Sequence, residues 1–276
     1  MITTLITHSR ALSALLILLS LTACASSNTP LDPRATASTN ATSSAGNTDN
    51  ACPQHYANAD TPQLVNPKLA AKTRLLCFSE FAVLHSGVTR TPLWASEHVT
   101  YAELLMDIAR KDNFYAEPRL PAEERAELAD YAGSGYDRGH LAPAANMPSD
   151  TAMRESFSLA NMTPQNPSNN RGLWSSIESR TRDLAQQRGE VYVVSGAVFS
   201  GANLQRINER VLVPTHYFKA IYDANTGESG AYWVANTANK DYKTVSIKEL
   251  TQLAGIDPFP TIGEFSKANA MNLPQP

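Results

Sequence analysis

The sequence predicts an α+β domain built on a mostly antiparallel central sheet. Two observations carry this: β-rich apolar runs outnumber helical ones, and the two kinds do not alternate regularly along the chain. A third sets the scale. With 276 residues and 42% of them hydrophobic, the chain can bury the core of one domain of ordinary size.

The first element is a targeting segment. Arg10 precedes an apolar run from Ala11 to Leu21, which is shorter than the roughly 20 residues a membrane span needs and has the form of a secretory signal. It ends in "LTAC", Leu21 to Cys24, which resembles a bacterial lipobox. Residues 1–23 are therefore expected to be a lipoprotein signal peptide and Cys24 the acylated residue. The other reading is a chance cysteine behind a simple signal peptide. Several acyl chains anchor stably where one is marginal, and Ala25 after the cysteine resembles the sorting pattern for the outer membrane. Residues 24–51 carry no aromatic side chain, so they are expected to form a disordered tether, with an r.m.s. span of about 25–30 Å. Of three cysteines, Cys52 and Cys77 remain after lipidation. In an exported chain an even remainder predicts a disulfide, worth about 3–4 kcal/mol in the chain-entropy picture; two buried thiols are the alternative.

The folded domain is expected over 52–265, with 266–276 as a C-terminal tail. Leu75–Ser86 and Thr91–Thr100 read as strands, and Glu123–Tyr131 as at most a short polar helix. Residues 170–189 have helical period, with Leu173, Ile177 and Leu184 on one stripe and Gly189 as the stop. Val191–Phe199, Arg210–Asp223 and Gly230–Thr237 are β-rich runs broken by Gly, Asn and Pro.

Two segments concentrate chemistry. "DRGH" places Asp137, Arg138, Gly139 and His140 in succession. Histidine titrates near neutrality, which suits proton transfer, and a neighbouring glycine lets a ligand approach the backbone. Further on, Asn170, Trp174, Glu178 and Arg182 are spaced by four, so they drift by only about 40° per step and rise about 18 Å along a helix. That ladder suits successive groups of an extended ligand. It equally suits a solvated helix face with a local Glu178–Arg182 pair, and Trp174 reads as core.

"DRGH" (Asp137–His140), "NMTPQ" (Asn161–Gln165) and "NRGLWSSIE" (Asn170–Glu178) resemble the signature blocks of the sugar-non-specific DNA/RNA endonucleases, His-Asn nucleases with a ββα-metal motif. "RTPLWASEHVT", "YVVSGAVF" and "RVLVPTHYFKAIYD" are similar to further strands of that family, so the resemblance covers about residues 73–262. It implies a ββα-metal catalytic motif with a long metal-binding helix, cleavage of DNA and RNA, and 5′-phosphate products. His140 becomes the general base that activates water. Asn170 becomes the direct ligand of a hydrated Mg²⁺, for which Mn²⁺ could substitute; one neutral oxygen suits that ion and not zinc. Glu178 is implied to act through metal-held water, and Arg138 and Arg182 as catalytic and phosphate-binding cations. Arg110 is the best match to a further phosphate contact, with Arg119 as the alternative. Asp137 is expected to orient the strand or an arginine, Gly139 to admit the phosphate, and Asn161 to support the metal helix. Asn169 leaves a register ambiguity that Gly172 and Trp174 resolve toward Asn170.

The net charge of -3 carries no basic signature, so positive charge for a polyanion must be local. Two other functions stay open at this point: a catalytically inactive nucleic-acid-binding lipoprotein, and a phosphodiesterase acting on another phosphorylated substrate. His55, His85, His98 and His216 have no partner motif and read as structural.

Overall fold

Side chains alternate across a strand, and in Thr91–Thr100 both sets are buried: Ala95 and Val99 join one core and Trp94 another, with a bulge at Leu93 adding that residue to the second. Such a strand must lie mid-sheet with both faces covered. The computed structural model describes residues 51–276 and places it there. The expected signal peptide, Cys24 and nearly all of the expected tether lie outside the described residues.

The strands of the main sheet are β1 (Thr73–Cys77), β2 (Ala82–Ser86), β3 (Thr91–Thr100), β6 (Glu190–Val198), β7 (His216–Tyr222), β8 (Ser229–Ala235) and β9 (Tyr242–Val245). Their spatial order is β9-β8-β7-β6-β3-β2-β1, every pair antiparallel. A separate hairpin pairs β4 (Asp137–His140) with β5 (Met162–Gln165). The helices are α1 (Tyr101–Leu104), α2 (Leu128–Tyr131), α3 (Asp150–Ser156), α4 (Ser175–Arg188), α5 (Ile247–Ala254) and α6 (Glu264–Ala268). Helix α4 stops at Gly189, whose φ of 88° favours glycine. The predicted stripe of Leu173, Ile177 and Leu184 is buried against the sheet face that also carries Val191, Val193, Tyr217 and Ile221. The opposite face packs on α5 and on the arm 53–59, where Tyr56 meets Trp94 edge-on. The expected disulfide, Cys52–Cys77, ties that arm to β1.

Several expectations change. Leu75–Ser86 is a hairpin, because Ser79 and Glu80 form a turn closed by Phe78 N–H donating to the Phe81 carbonyl at 2.9 Å. Arg210–Asp223 is also two pieces: Val211–Leu212 pairs with Arg206–Ile207, and Pro214, which has no N–H to donate, precedes β7. Residues 266–276 are packed onto the domain at two points and do not form a free tail. Met271 and Leu273 are buried, and Met271 N–H donates to the Ser229 carbonyl at 2.7 Å.

Candidate active site

His140 is placed by a pairing distant in sequence. Its strand β4 meets β5 in the register His140–Met162, Gly139–Thr163, Arg138–Pro164 and Asp137–Gln165. The chain just beyond is gripped by buried Asn161. Its Oδ1 accepts from Ala142 N–H at 3.0 Å, and its Nδ2 donates to the carbonyls of Ala142 (2.8 Å) and Ser156 (3.0 Å). Asn161 therefore supports the segment after His140 and the end of α3, and not the helix as expected; both of its N–H groups and its oxygen bond to these segments and none to the helix. The helix is attached by Trp174 instead, whose Nε1–H donates to the His140 carbonyl at 3.3 Å. Gly139 also has a different reason from the one expected. A Cβ there would stand 2.6 Å from Gln165 Cβ, so packing against β5 excludes a side chain before any ligand is considered.

The His140 ring is 9% exposed and wedged edge-on against Phe157 at 5.0 Å, with Phe114 at 6.0 Å. Its Nε2 is enclosed without a partner. Burial, with the nearby Arg110 cation adding to it, pulls its pKa down to about 3, so the imidazole is neutral at working pH with a lone pair to accept a proton. Arg110 lies over Phe157 at 5.1 Å and Arg138 over Phe114 at 4.2 Å, so two aromatic rings seat two guanidiniums around the histidine. Arg119 is elsewhere: it binds Glu117 and the Cys77 carbonyl and stacks on Phe78. A cavity of about 470 Å³ opens over Arg110, Phe114, Tyr136, Arg138, Asn170 and Arg171.

A π-helical turn, Asn169–Trp174, precedes α4, so four residues from Asn170 to Trp174 fall short of a full turn, where α-spacing would carry them past one. Asn169 is buried and donates its amide to the Ala235 carbonyl at 2.7 Å, which leaves Asn170 at the cavity. Asn170 Nδ2 donates to Asp137 Oδ2 at 2.9 Å; Arg171 forks onto the same carboxylate at 2.8 and 2.6 Å. Partial burial pushes the Asp137 carboxyl up, yet the bonds from Arg171 and Asn170 outweigh it and hold the group below the usual range. A carboxylate only accepts, so Asn170 must present its NH₂ to Asp137 and keep its Oδ1 for something else. An amide oxygen at the cavity wall is a neutral, hard donor of the kind that fits a hydrated cation. Among the described residues no group of three or more His, Cys, Asp or Glu is placed to hold a metal.

Glu178 and Arg182 do not make a solvated face. Burial raises the Glu178 carboxyl above its usual range, opposed by Lys219, Arg182 and Arg110, and Arg182 Nη1 is enclosed without a partner. The face continues into a cluster that sequence reasoning missed. Lys219 on β7 and Glu97 on β3 are both 1% exposed and on the sheet face under α4. Lys219 Nζ donates to Ser195 Oγ and lies 5.1 Å from the Trp174 ring. Glu97 accepts from Asn146 at 3.0 Å and is pushed up to about 7 by burial, against the pull of Lys219. The available signal was a charge inside each of two apolar strands, "WASEHV" and "YFKAIY". Among the described residues the other four histidines are away from this site: His55 and His85 bond to carbonyls, His98 to Glu190, and His216 stacks on Trp233.

Comparison with known proteins gives the family and the fold. The family described as DNA/RNA non-specific endonuclease matches residues 58–265. The chain is 34% identical over 217 residues to the mitochondrial nuclease EXOG of Homo sapiens, covering 70% of this chain and 59% of that protein. It is 31% identical over 207 residues to a nuclease of Nostoc sp., covering 69% and 74%. It thus spans about three fifths of the length of the mitochondrial relatives it matches. The fold is similar to that in a crystal structure of an EndoG/EndoGI complex, with a TM-score of 0.62 at 25% identity over 71% of this chain and 86% of that one.

Proposed function

The chain belongs to the DNA/RNA non-specific endonuclease family, and from that premise we propose that it is a metal-dependent endonuclease hydrolysing phosphodiester bonds in DNA and RNA. The observation that carries this is the Asn170 amide, turned by Asp137 so that its oxygen is free at the wall of a cavity lined by arginines. His140, neutral and two residues from Arg138 on the same strand, accepts the proton of the attacking water. A bound phosphate adds negative charge beside the ring and raises its proton affinity from the low value of the free site. Arg110, Arg138 and Arg182 hold the phosphate and offset the charge that grows on it. Asn170 would hold Mg²⁺ or Mn²⁺ directly, and Glu178 through the water around the ion. Bound there, the ion supplies positive charge to the leaving 3′ oxygen, which gives 5′-phosphate ends. Contacts of this kind read phosphates and not bases, which supports cleavage with little sequence preference.

The test is cleavage of supercoiled plasmid and of RNA by the purified chain, with Mg²⁺ or with EDTA. EDTA should abolish both activities, and His140→Ala and Asn170→Ala should each lower them by about 10²–10⁴-fold. Cleavage that survives in His140→Ala places the chemistry elsewhere. The lipobox pattern supports an exported, membrane-anchored protein, lipidated at Cys24, with an outer-membrane destination. In a bacterial host, Cys24→Ser should move the protein from the membrane to the soluble fraction; an unchanged membrane share would refute the anchor.

A further inference from the structure

Arg171 has no evident reason to be where it is. It stands in the opening turn of the helical segment, where the helix dipole disfavours a cation, and its side chain is 73% exposed. What it does have is geometry. Its Nε and Nη2 grip the two oxygens of Asp137 at 2.8 and 2.6 Å, a planar two-point contact that fixes the plane of the carboxylate. One of those oxygens, Oδ2, also accepts from Asn170 Nδ2. We infer that Arg171 is a positioning residue for the metal ligand: by forking onto Asp137 it fixes the carboxylate that orients the Asn170 amide. This rests on the assignment of Asn170 proposed above.

Without the fork, Asp137 keeps a single bond, to an amide that is itself free to turn, and neither group defines the other. The Asn170 oxygen then spends part of its time away from the cavity, and an ion that takes one protein ligand loses affinity in proportion. A role by charge alone predicts the opposite sign, because deleting a cation beside a metal site tightens the metal. A role as a phosphate contact predicts a third result, a change in binding of the nucleic acid.

The experiment uses the full chain. Mn²⁺ affinity is measured by electron paramagnetic resonance without nucleic acid, and kcat and KM are measured on one oligonucleotide. Arg171→Ala should weaken Mn²⁺ binding by about tenfold, the usual scale for groups that orient a metal ligand, and lower kcat with little change in KM. Arg171→Lys, which keeps the charge and loses the fork, should show most of the same loss. In an Asp137→Asn background, Arg171→Ala should have almost no further effect on Mn²⁺, because the two act as a unit. Unchanged or tighter Mn²⁺ binding in Arg171→Ala overturns the inference, as does a rise in KM with kcat retained. A wild-type chain that neither binds Mn²⁺ nor cleaves overturns the metal assignment as well; one that does both while Arg171→Ala matches it overturns this inference alone.

Discussion

Two sets of charges flank the helical segment that begins at Asn169, and they are built on opposite terms. At its opening turn, Asp137, Asn170 and Arg171 touch one another directly beside solvent. Under its middle, Lys219 and Arg182 act through space on Glu97 and Glu178, with Glu97 and Lys219 buried and Glu178 and Arg182 half-buried. There Glu97 Oε2, Asn146 Oδ1 and Arg182 Nη1 are left without partners. The first arrangement sets direction, since hydrogen bonds are directional and a carboxylate accepts only. The second sets potential, since charges shielded from water act over longer distances. The first gives an amide oxygen that points, and the second puts charge close behind it.

The sharpest way to break this contrast is to remove the enclosed cation. Lys219→Met keeps the stem under Trp174 but removes the largest counter-charge that Glu97 and Glu178 share. Stability should fall by about 3–5 kcal/mol, as when one partner of a buried pair is deleted. Urea unfolding measures this, and a loss below about 1 kcal/mol would mean that water reaches the cluster and the enclosure is not real.

Glu97 gives the next effect, through pH. Its folded carboxyl, pushed up to about 7 by burial, keeps a proton where the unfolded chain, with a value of 4.5, has lost it. It therefore adds stability in full below about 4.5 and loses it as pH rises through about 7, a span worth about 3 kcal/mol at roughly 1.4 kcal/mol per pH unit. Lys219 and Arg182 pull against this shift, and Glu178 adds to it. Glu97→Gln should remove the slope, so the variant gains on the wild type between pH 5 and pH 8. The histidines His55, His85, His140 and His216 slope the other way, with lowered pKa values, and cancel in the difference. A stability difference that does not change with pH would show that Glu97 is not protonated in the folded protein.

Gly139 lies next to the first set but answers to packing. Gly139→Ala should cost about 1–3 kcal/mol, as overpacking does, because Gln165 must give way. Should stability hold while KM for the nucleic acid rises, the reason for this glycine lies on the ligand side after all.

The contrast also explains what could be read from the sequence. Asp137–His140 and the helix from Asn170 were legible because their residues are adjacent or share a helical period, and the stripe of Leu173, Ile177 and Leu184 packs as that period requires. Periodicity says which face a residue takes but not what meets it there. Hence Glu97 and Lys219 went unread although each sits inside an apolar strand, since their partners come from other strands and from α4. Asn161 was placed against the wrong element for the same reason: its partners, Ala142 and Ser156, are reached only once the hairpin closes. The choice between Arg110 and Arg119 needed the positions of Phe157 and Phe78, which no spacing supplies.

The smallest expected effect bears hardest on the comparison. Arg171 is mostly exposed, so its pair with Asp137 is weakened by water and salt, and Arg171→Ala should change the unfolding free energy by less than about 1 kcal/mol. The same substitution is expected to change metal affinity far more than stability, whereas Lys219→Met is expected to do its damage to the fold. Measured side by side in one urea series, the two variants should differ by several-fold in stability loss. If Arg171→Ala costs as much as Lys219→Met, the fork is part of the structural frame of the helix. Orientation of Asn170 would then be a by-product of that frame and not a task with its own residue.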